Sequence, residues 1–236
     1  MGVDLTQMTK IPLLLLPGLL CDAEVWSYQC RELADITDII IPDLSHAASP
    51  HDMVKSALIS APPQFALAGH SMGGWVALEI MKQCPERVLG LALLNTTALP
   101  DTKEKQDARL AMLAMFDSEN NFPIIEKLLQ LFVHNNAVVS SVKKMLERNL
   151  FAFANQEKAM IQREDCIASL DSINCPTLII HSENDAVFQY EDSYFLATKI
   201  KHTTLVVIEN CGHMSPMESP KQVTELMRIW LNSFTR

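Results

Sequence analysis

The sequence predicts an α/β protein in which a mostly parallel, doubly wound sheet is interrupted by an all-helical insertion. Short apolar runs of the kind buried on both faces alternate with amphipathic helical segments, which is typical of parallel α/β domains. Between positions 101 and 172 this alternation stops, and apolar residues recur only at helical spacing. The 236 residues are enough for one substantial domain plus such an insertion.

The core elements follow from where the apolar runs start and stop. Pro17-Gly18 turns the chain after the first run, and Pro42 ends the second. We expect a sheet of about six strands, at positions 11–16, 36–41, 65–68, 88–94, 177–181 and 204–208. Helices are predicted at positions 23–33, 72–82 and 221–234.

The insertion divides the predicted domain into a core of residues 1–100 and 173–236 and a helical lid of residues 101–172. Its periodicity predicts helices around 108–116, 124–133, 138–153 and 156–170. The lid is rich in methionine, which fits either packing between its helices or a deformable apolar pocket for an acyl or alkyl group. The methionines in question are Met112, Met115, Met145 and Met160.

Composition narrows the choice of partners and compartment. A net charge of −9 disfavours nucleic acid and anionic membrane surfaces. The six cysteines are scattered without a paired motif, which favours reduced thiols in a cytoplasmic protein. The apolar run at 11–20 is too short to span a bilayer and is broken by a Pro-Gly pair, so we expect no membrane span.

One short motif carries a chemical prediction. Gly69-His70-Ser71-Met72-Gly73 is a G-x-S-x-G sequence between a predicted strand and a predicted helix, where a nucleophile elbow must lie. Glycines on both sides permit the strained turn, and the helix N-terminus favours a developing anion. Ser71 is therefore the predicted nucleophile; the alternative is a helix-capping serine with incidental glycines.

A serine hydroxyl needs a base to take its proton. Of the seven histidines, His213 follows the last predicted strand and precedes the last helix. It should therefore lie at the carboxyl edge of the sheet, as Ser71 does. His70 is adjacent to the serine on a tight turn, where neighbouring side chains point apart. The alternative for His213 is a loop histidine without a catalytic role.

An acid should orient the imidazole, and Asp185 follows the fifth predicted strand at the same edge. The order Ser71, Asp185, His213 matches the chain order of this kind of triad. Glu183 and Asp101 are the rival acids, and an ordinary solvated carboxylate is the alternative for each.

These motifs resemble those of the α/β-hydrolase superfamily, in particular its compact serine esterase-like members with a helical lid. The segment from Gly212 to Pro220 is similar to the family's G-H-x-x-x-x-E-x-P pattern, and the resemblance extends from Ile11 to the last helix. It implies that the backbone N–H groups of Leu19 and Met72 form the oxyanion hole. For Leu19 the alternative is a plain core or pocket leucine.

The chain departs from the family pattern at three places. The usual His-Gly after the first strand is replaced by Pro17-Gly18, although backbone donors do not need that histidine. The segment 43–49 lacks the arginine and glycines of the corresponding family loop. Ser182 stands where a glycine is usual before the acid, and the proline usual after it is absent.

Other chemistries lack a motif. There is no H-E-x-x-H pair, no P-loop and no G-x-G-x-x-G, so we expect neither a metal nor a cofactor. The sequence thus predicts a serine hydrolase that cleaves a carboxylic ester or thioester with a small or medium acyl group through an acyl-enzyme. A lyase or a cofactor-free peroxidase using the same residues, and a non-enzymatic ligand receptor, remain open.

Overall fold

The computed structural model describes residues 10–116 and 121–234. Its sheet has six strands in the order β2-β1-β3-β4-β5-β6, and every pairing is parallel. The predicted doubly wound α/β fold is confirmed. The strands are β1 (Ile11–Leu16), β2 (Thr37–Ile40), β3 (Phe65–His70), β4 (Val88–Leu94), β5 (Thr177–Ser182) and β6 (Thr203–Ile208).

The burial of each strand follows its place in the sheet. All six residues of the inner strand β3 are buried, because helices cover both faces of a parallel sheet. The edge strands β2 and β6 contain exposed residues. The predicted strands lie within two residues of the observed ones, as helix and strand ends usually do.

Eleven α-helices occur in the described residues. The helices are α1 (Ser27–Leu33), α2 (Pro50–Leu58), α3 (Met72–Gln83), α4 (Lys103–Met115), α5 (Phe122–Phe132), α6 (Val139–Arg148), α7 (Phe153–Ile161), α8 (Ile167–Leu170), α9 (Tyr190–Lys199), α10 (Ser215–Glu218) and α11 (Pro220–Asn232).

Three of these helices, α2, α9 and α10, lie outside the predicted elements. The first two begin at a recognisable cap. The Ser49 hydroxyl accepts from Asp52 N before Pro50, and Gln189 with Asp192 forms a capping box. The predicted helix at 23–33 also begins differently, as a short 3₁₀ turn over Ala23–Trp26 that leads into α1.

Helices α4 to α8 and two 3₁₀ turns, Asn136–Val138 and Leu150–Ala152, make up the regular structure described between β4 and β5. Two predicted helices there are wrong in extent. The one at 138–153 ends at Arg148, where the Asn149 side chain bonds the carbonyl of Met145. The one at 156–170 breaks after Ile161, because Cys166 N bonds the carbonyl of Ala98 instead of continuing the helix.

The division into a core and a lid stays a prediction. Of the ranges assigned to it, residues 1–9, 117–120 and 235–236 lie outside the described part of the chain. Over the part that is described, no helix combines the length and hydropathy needed to cross a membrane. All six cysteines are unpaired.

Candidate active site

Ser71 occupies the turn between β3 and α3, in a backbone conformation that L-residues rarely adopt. Its φ is 55° and its ψ −117°. The turn is tight enough to exclude side chains on both sides: a Cβ at Gly69 would lie 2.3 Å from the carbonyl oxygen of Gly73, and one at Gly73 would lie 2.3 Å from that of Leu16. The glycines of the motif therefore permit the turn that holds Ser71.

His213 lies in the loop after β6, with its ring fully buried. Its Nε2 is 2.8 Å from Ser71 Oγ. The rings of Phe132 and Phe188 pack against it, with centroids 5.1 and 5.8 Å from that of the imidazole. These contacts restrict the ring to the orientation that faces the serine.

Asp185 lies on the other side of the imidazole, in the loop after β5. Both of its carboxylate oxygens are 3.0 Å from His213 Nδ1. Oδ1 also accepts from the backbone N–H groups of Val187 and Phe188, and Oδ2 accepts from Asn95 Nδ2. Burial raises the Asp185 pKa, but the charge of His213 and these hydrogen bonds outweigh it and lower the pKa to about 2. The acid is therefore held as a carboxylate.

The rival acids are engaged elsewhere. Glu183 is exposed and accepts from the N–H of Asn210. Asp101 forms buried ion pairs with Arg109 and Arg163, each at 2.6 Å. Neither carboxylate has a hydrogen bond to His213.

His70 is buried beside the three side chains without bonding to Ser71 Oγ. Its Nε2 lies 2.8 Å from the carbonyl oxygen of His213, to which it must donate, so its Nδ1 is unprotonated and has no partner in the described residues. Burial, followed by the charge of His213, lowers the His70 pKa to about 3. His70 is thus a neutral donor that holds the backbone of His213.

The two predicted oxyanion donors line the same cavity as Ser71. Met72 is the first residue of α3, where a backbone N–H has no acceptor within the helix. Leu19 belongs to a turn that is closed by a 3.1 Å bond from Cys21 N to the carbonyl of Gly18. Leu20, the third residue of that turn, has a φ of 55°.

Two buried amides that the motif analysis missed support this arrangement. Asn95, directly after β4, donates to Asp185 and to Ser182 Oγ, while its Oδ1 accepts from Ser215 Oγ. Gln156, on α7, accepts from the N–H of Leu20 at 2.9 Å. The place of Asn95 at a strand end was a usable signal, whereas nothing in the local sequence marks Gln156.

The cavity at Ser71 has a volume of about 220 Å³ and two kinds of wall. Most of its lining is apolar and comes from α4, α5, α7 and the loop after β5. The charged remainder consists of Asp101, Lys105, Arg109 and Glu157. The insertion's methionines divide accordingly: Met112 and Met160 line the cavity, Met145 is buried in the core and Met115 is exposed.

In the described part of the chain, no three His, Cys, Asp or Glu side chains are grouped so that they could hold a metal ion.

Comparison with known proteins supplies independent information. Residues 13–226 match the sequence model of a family described as "Alpha/beta hydrolase family". A pimeloyl-[acyl-carrier protein] methyl ester esterase of Nitrosospira multiformis is 25% identical over 247 aligned positions, which cover 92% of this chain and 93% of that protein. A (E)-2-((N-methylformamido)methylene)succinate hydrolase of Acinetobacter baylyi is 26% identical, with coverages of 94% and 90%.

The fold is also found among solved structures. A thermophilic esterase of Thermogutta terrifontis, with malate bound, superposes with a TM-score of 0.86 at 26% identity; the match covers 97% of this chain and 92% of the esterase. An enol-lactonase of Burkholderia xenovorans superposes with a TM-score of 0.83 at 16% identity, and that likeness concerns the fold alone.

Proposed function

The chain belongs to the alpha/beta hydrolase family, and we propose that it is a serine hydrolase that cleaves a carboxylic ester or thioester through an acyl-enzyme at Ser71. One observation carries the proposal: a continuous series of hydrogen bonds runs from Asp185 through both ring nitrogens of His213 to Ser71 Oγ. A triad is recognised by this geometry and by the roles it permits.

In the proposed first step, Ser71 Oγ attacks the substrate carbonyl carbon while its proton passes to His213 Nε2. The carboxylate of Asp185 stabilises the imidazolium that results. The N–H groups of Leu19 and Met72 receive the negative oxygen of the tetrahedral intermediate. The intermediate then collapses, and the alcohol or thiol leaves with the proton held by His213.

In the second step, water attacks the acyl-serine and gives a proton to His213 Nε2. Collapse of the second tetrahedral intermediate releases the carboxylic acid and returns the proton to Ser71 Oγ. The neutral His70 does not compete for this proton, since its pKa is lowered to about 3.

The class of substrate rests on two further observations. The relatives are named as an ester esterase and a hydrolase, which supports ester cleavage. The apolar wall of the cavity, formed largely by α4, α5 and α7, supports an acyl or alkyl group bound beneath the proposed lid of residues 101–172. A cytoplasmic location, which the unpaired cysteines support, is part of the proposal.

A fluorophosphonate probe tests the nucleophile, because it labels an activated serine. The wild-type protein should be labelled at Ser71 with full stoichiometry and should hydrolyse p-nitrophenyl esters or acyl thioesters. The Ser71→Ala variant should keep its fold and lose both activities, apart from residual turnover from binding and the oxyanion hole. Full labelling of the variant would show that another residue is the nucleophile.

The same experiment separates the alternatives. A ligand receptor would show neither labelling nor turnover. A lyase or a cofactor-free peroxidase would be labelled at Ser71 but would cleave no ester or thioester in the panel.

A further inference from the structure

We propose that the cavity at Ser71 contains an anion subsite centred on Lys105, so that the preferred ester carries a carboxylate remote from the bond that is cleaved. This inference rests on the proposed function and narrows it to a substrate class. It starts from the charged wall of an otherwise apolar cavity.

The acidic side chains of that wall are already neutralised. Both oxygens of Asp101 are bonded by arginines, Oδ2 by Arg109 and Oδ1 by Arg163. Both oxygens of Glu157 accept from Arg109 Nη1, at 3.3 and 3.0 Å. Two carboxylates thus balance two guanidinium groups, and this buried cluster has no charge to offer a substrate.

Lys105 is the cationic side chain of this wall that the two carboxylates do not pair with. Within the described residues its ammonium forms no ion pair; Nζ has a long 3.5 Å contact with the carbonyl of Val187 and lies 5.1 Å from the centre of the Phe188 ring. Lys105 lies one helical turn before Arg109 on α4, so both side chains reach the same wall. The wall therefore carries one excess positive charge in a chain whose net charge is −9.

The position of Lys105 suits the remote end of a substrate. The Phe188 ring that contacts its ammonium also packs on His213, with ring centres 5.8 Å apart. The Phe188 ring thus lies between the Lys105 ammonium and the proposed base, His213. The apolar side chains around the cavity can contact the methylene groups that join the carboxylate of a substrate to its ester group. Partial burial in that apolar wall strengthens the attraction of a carboxylate to the ammonium.

The test compares matched ester pairs that differ only in a terminal carboxylate. Monomethyl half-esters from succinate to suberate are compared with methyl esters of the monocarboxylic acids of the same length, and methanol release is measured. In the wild-type protein at least one half-ester should have a kcat/KM equal to or above that of its neutral partner. In Lys105→Gln the ratio for that pair should fall about tenfold, and further in Lys105→Glu.

Lys103→Gln is the matched control. Lys103 lies on the same helix, but its side chain is 74% exposed and pairs with Asp107, away from the cavity. The control should keep the wild-type ratio. A ratio that Lys105→Gln leaves unchanged both in this series and in the alcohol-side series described next, or that Lys103→Gln lowers equally, would overturn the subsite.

A second series carries the carboxylate on the alcohol side, as 6-acetoxyhexanoate against hexyl acetate. Dependence on Lys105 in one series alone supports the subsite and identifies the side of the ester that bears the anion. Equal dependence in both series would indicate only a general electrostatic field and would refute a seated carboxylate.

Calorimetry separates this inference from the proposed function. Ser71→Ala should bind the preferred half-ester, and adding Lys105→Gln should weaken that binding about tenfold even if no ester is turned over. If neutral esters are cleaved at Ser71 but the binding of half-esters does not depend on Lys105, the subsite is refuted and the proposed function stands. If half-esters bind in a Lys105-dependent way but the probe does not label the wild-type protein, the proposed mechanism is refuted and the subsite stands.

Discussion

Replacing Asp185 with asparagine should lower kcat by far more than the loss of one hydrogen bond would, because it reverses the tautomer of His213. In the proposed mechanism Nδ1 of His213 carries the ring proton and donates it to Asp185, so that Nε2 is free to take the proton of Ser71. An amide has one accepting oxygen and one donating nitrogen, and the surroundings decide which takes each place.

The structure determines that orientation. The Oδ1 position faces two backbone donors, Val187 N at 2.8 Å and Phe188 N at 3.2 Å, so the amide oxygen must occupy it. The amide nitrogen then takes the Oδ2 position, 3.0 Å from His213 Nδ1 and 2.9 Å from Asn95 Nδ2. Nδ1 must accept there, which moves the ring proton to Nε2, where it blocks transfer from Ser71.

We expect kcat to fall by about 10²–10⁴-fold, with the upper end, about 5.4 kcal/mol, if the wrong tautomer dominates. The introduced amide nitrogen would also face the donating Nδ2 of Asn95, which should lower the free energy of unfolding by about 1–3 kcal/mol. Steady-state hydrolysis of a p-nitrophenyl ester measures the first effect, and denaturant unfolding the second.

Glu183→Gln is the matched control, since Glu183 is exposed and its carboxylate bonds only the N–H of Asn210 among the described residues. It should retain nearly full activity. A folded Asp185→Asn variant with kcat within about fivefold of the wild type would refute the tautomer argument. A large loss in Glu183→Gln would move the acid two residues upstream.

Three other predictions follow from the same site. Because the Asp185 pKa is lowered to about 2 and the His70 pKa to about 3, the aspartate keeps its charge and His70 stays neutral above about pH 4. Neither group should therefore add an inflection to the pH profile of kcat/KM above pH 4, and an inflection between pH 4 and 5 would contradict this. With one leaving group, kcat/KM should rise roughly threefold to fourfold per acyl methylene until the cavity is full, at about 0.8 kcal/mol each, whereas equal values from acetate to octanoate would remove the apolar pocket. Gln156→Leu leaves the N–H of Leu20 without an acceptor, so it should destabilise the fold by about 1–3 kcal/mol and lower kcat more than it changes KM. Gln156→Glu keeps an acceptor and should recover most of the loss.

The sequence alone was sufficient for the positions of the core strands along the chain and for the turn at Ser71. Burial on both faces of a parallel strand leaves an apolar run that can be recognised locally, and a strained elbow leaves its glycines. The predicted helix ends were wrong where the helical spacing of apolar residues continued along the sequence but a contact with a distant residue ended the helix. The break before α8 is of this kind, since Cys166 N bonds the carbonyl of Ala98, which lies in the loop after β4.

The candidate site divides in the same way. Ser71, His213 and Asp185 could be nominated from the sequence because each follows a strand, and parallel strands bring their carboxyl ends to one edge. The sequence could not give the distances between these three side chains or the support from Asn95 and Gln156. It also could not show that, among the described residues, one cation of the cavity wall has no ion pair. Those features depend on side chains up to 142 residues apart, whose meeting is set by sheet register and loop packing. Local sequence encodes periodicity and turn geometry, but only the tertiary structure determines which distant groups come within hydrogen-bond distance.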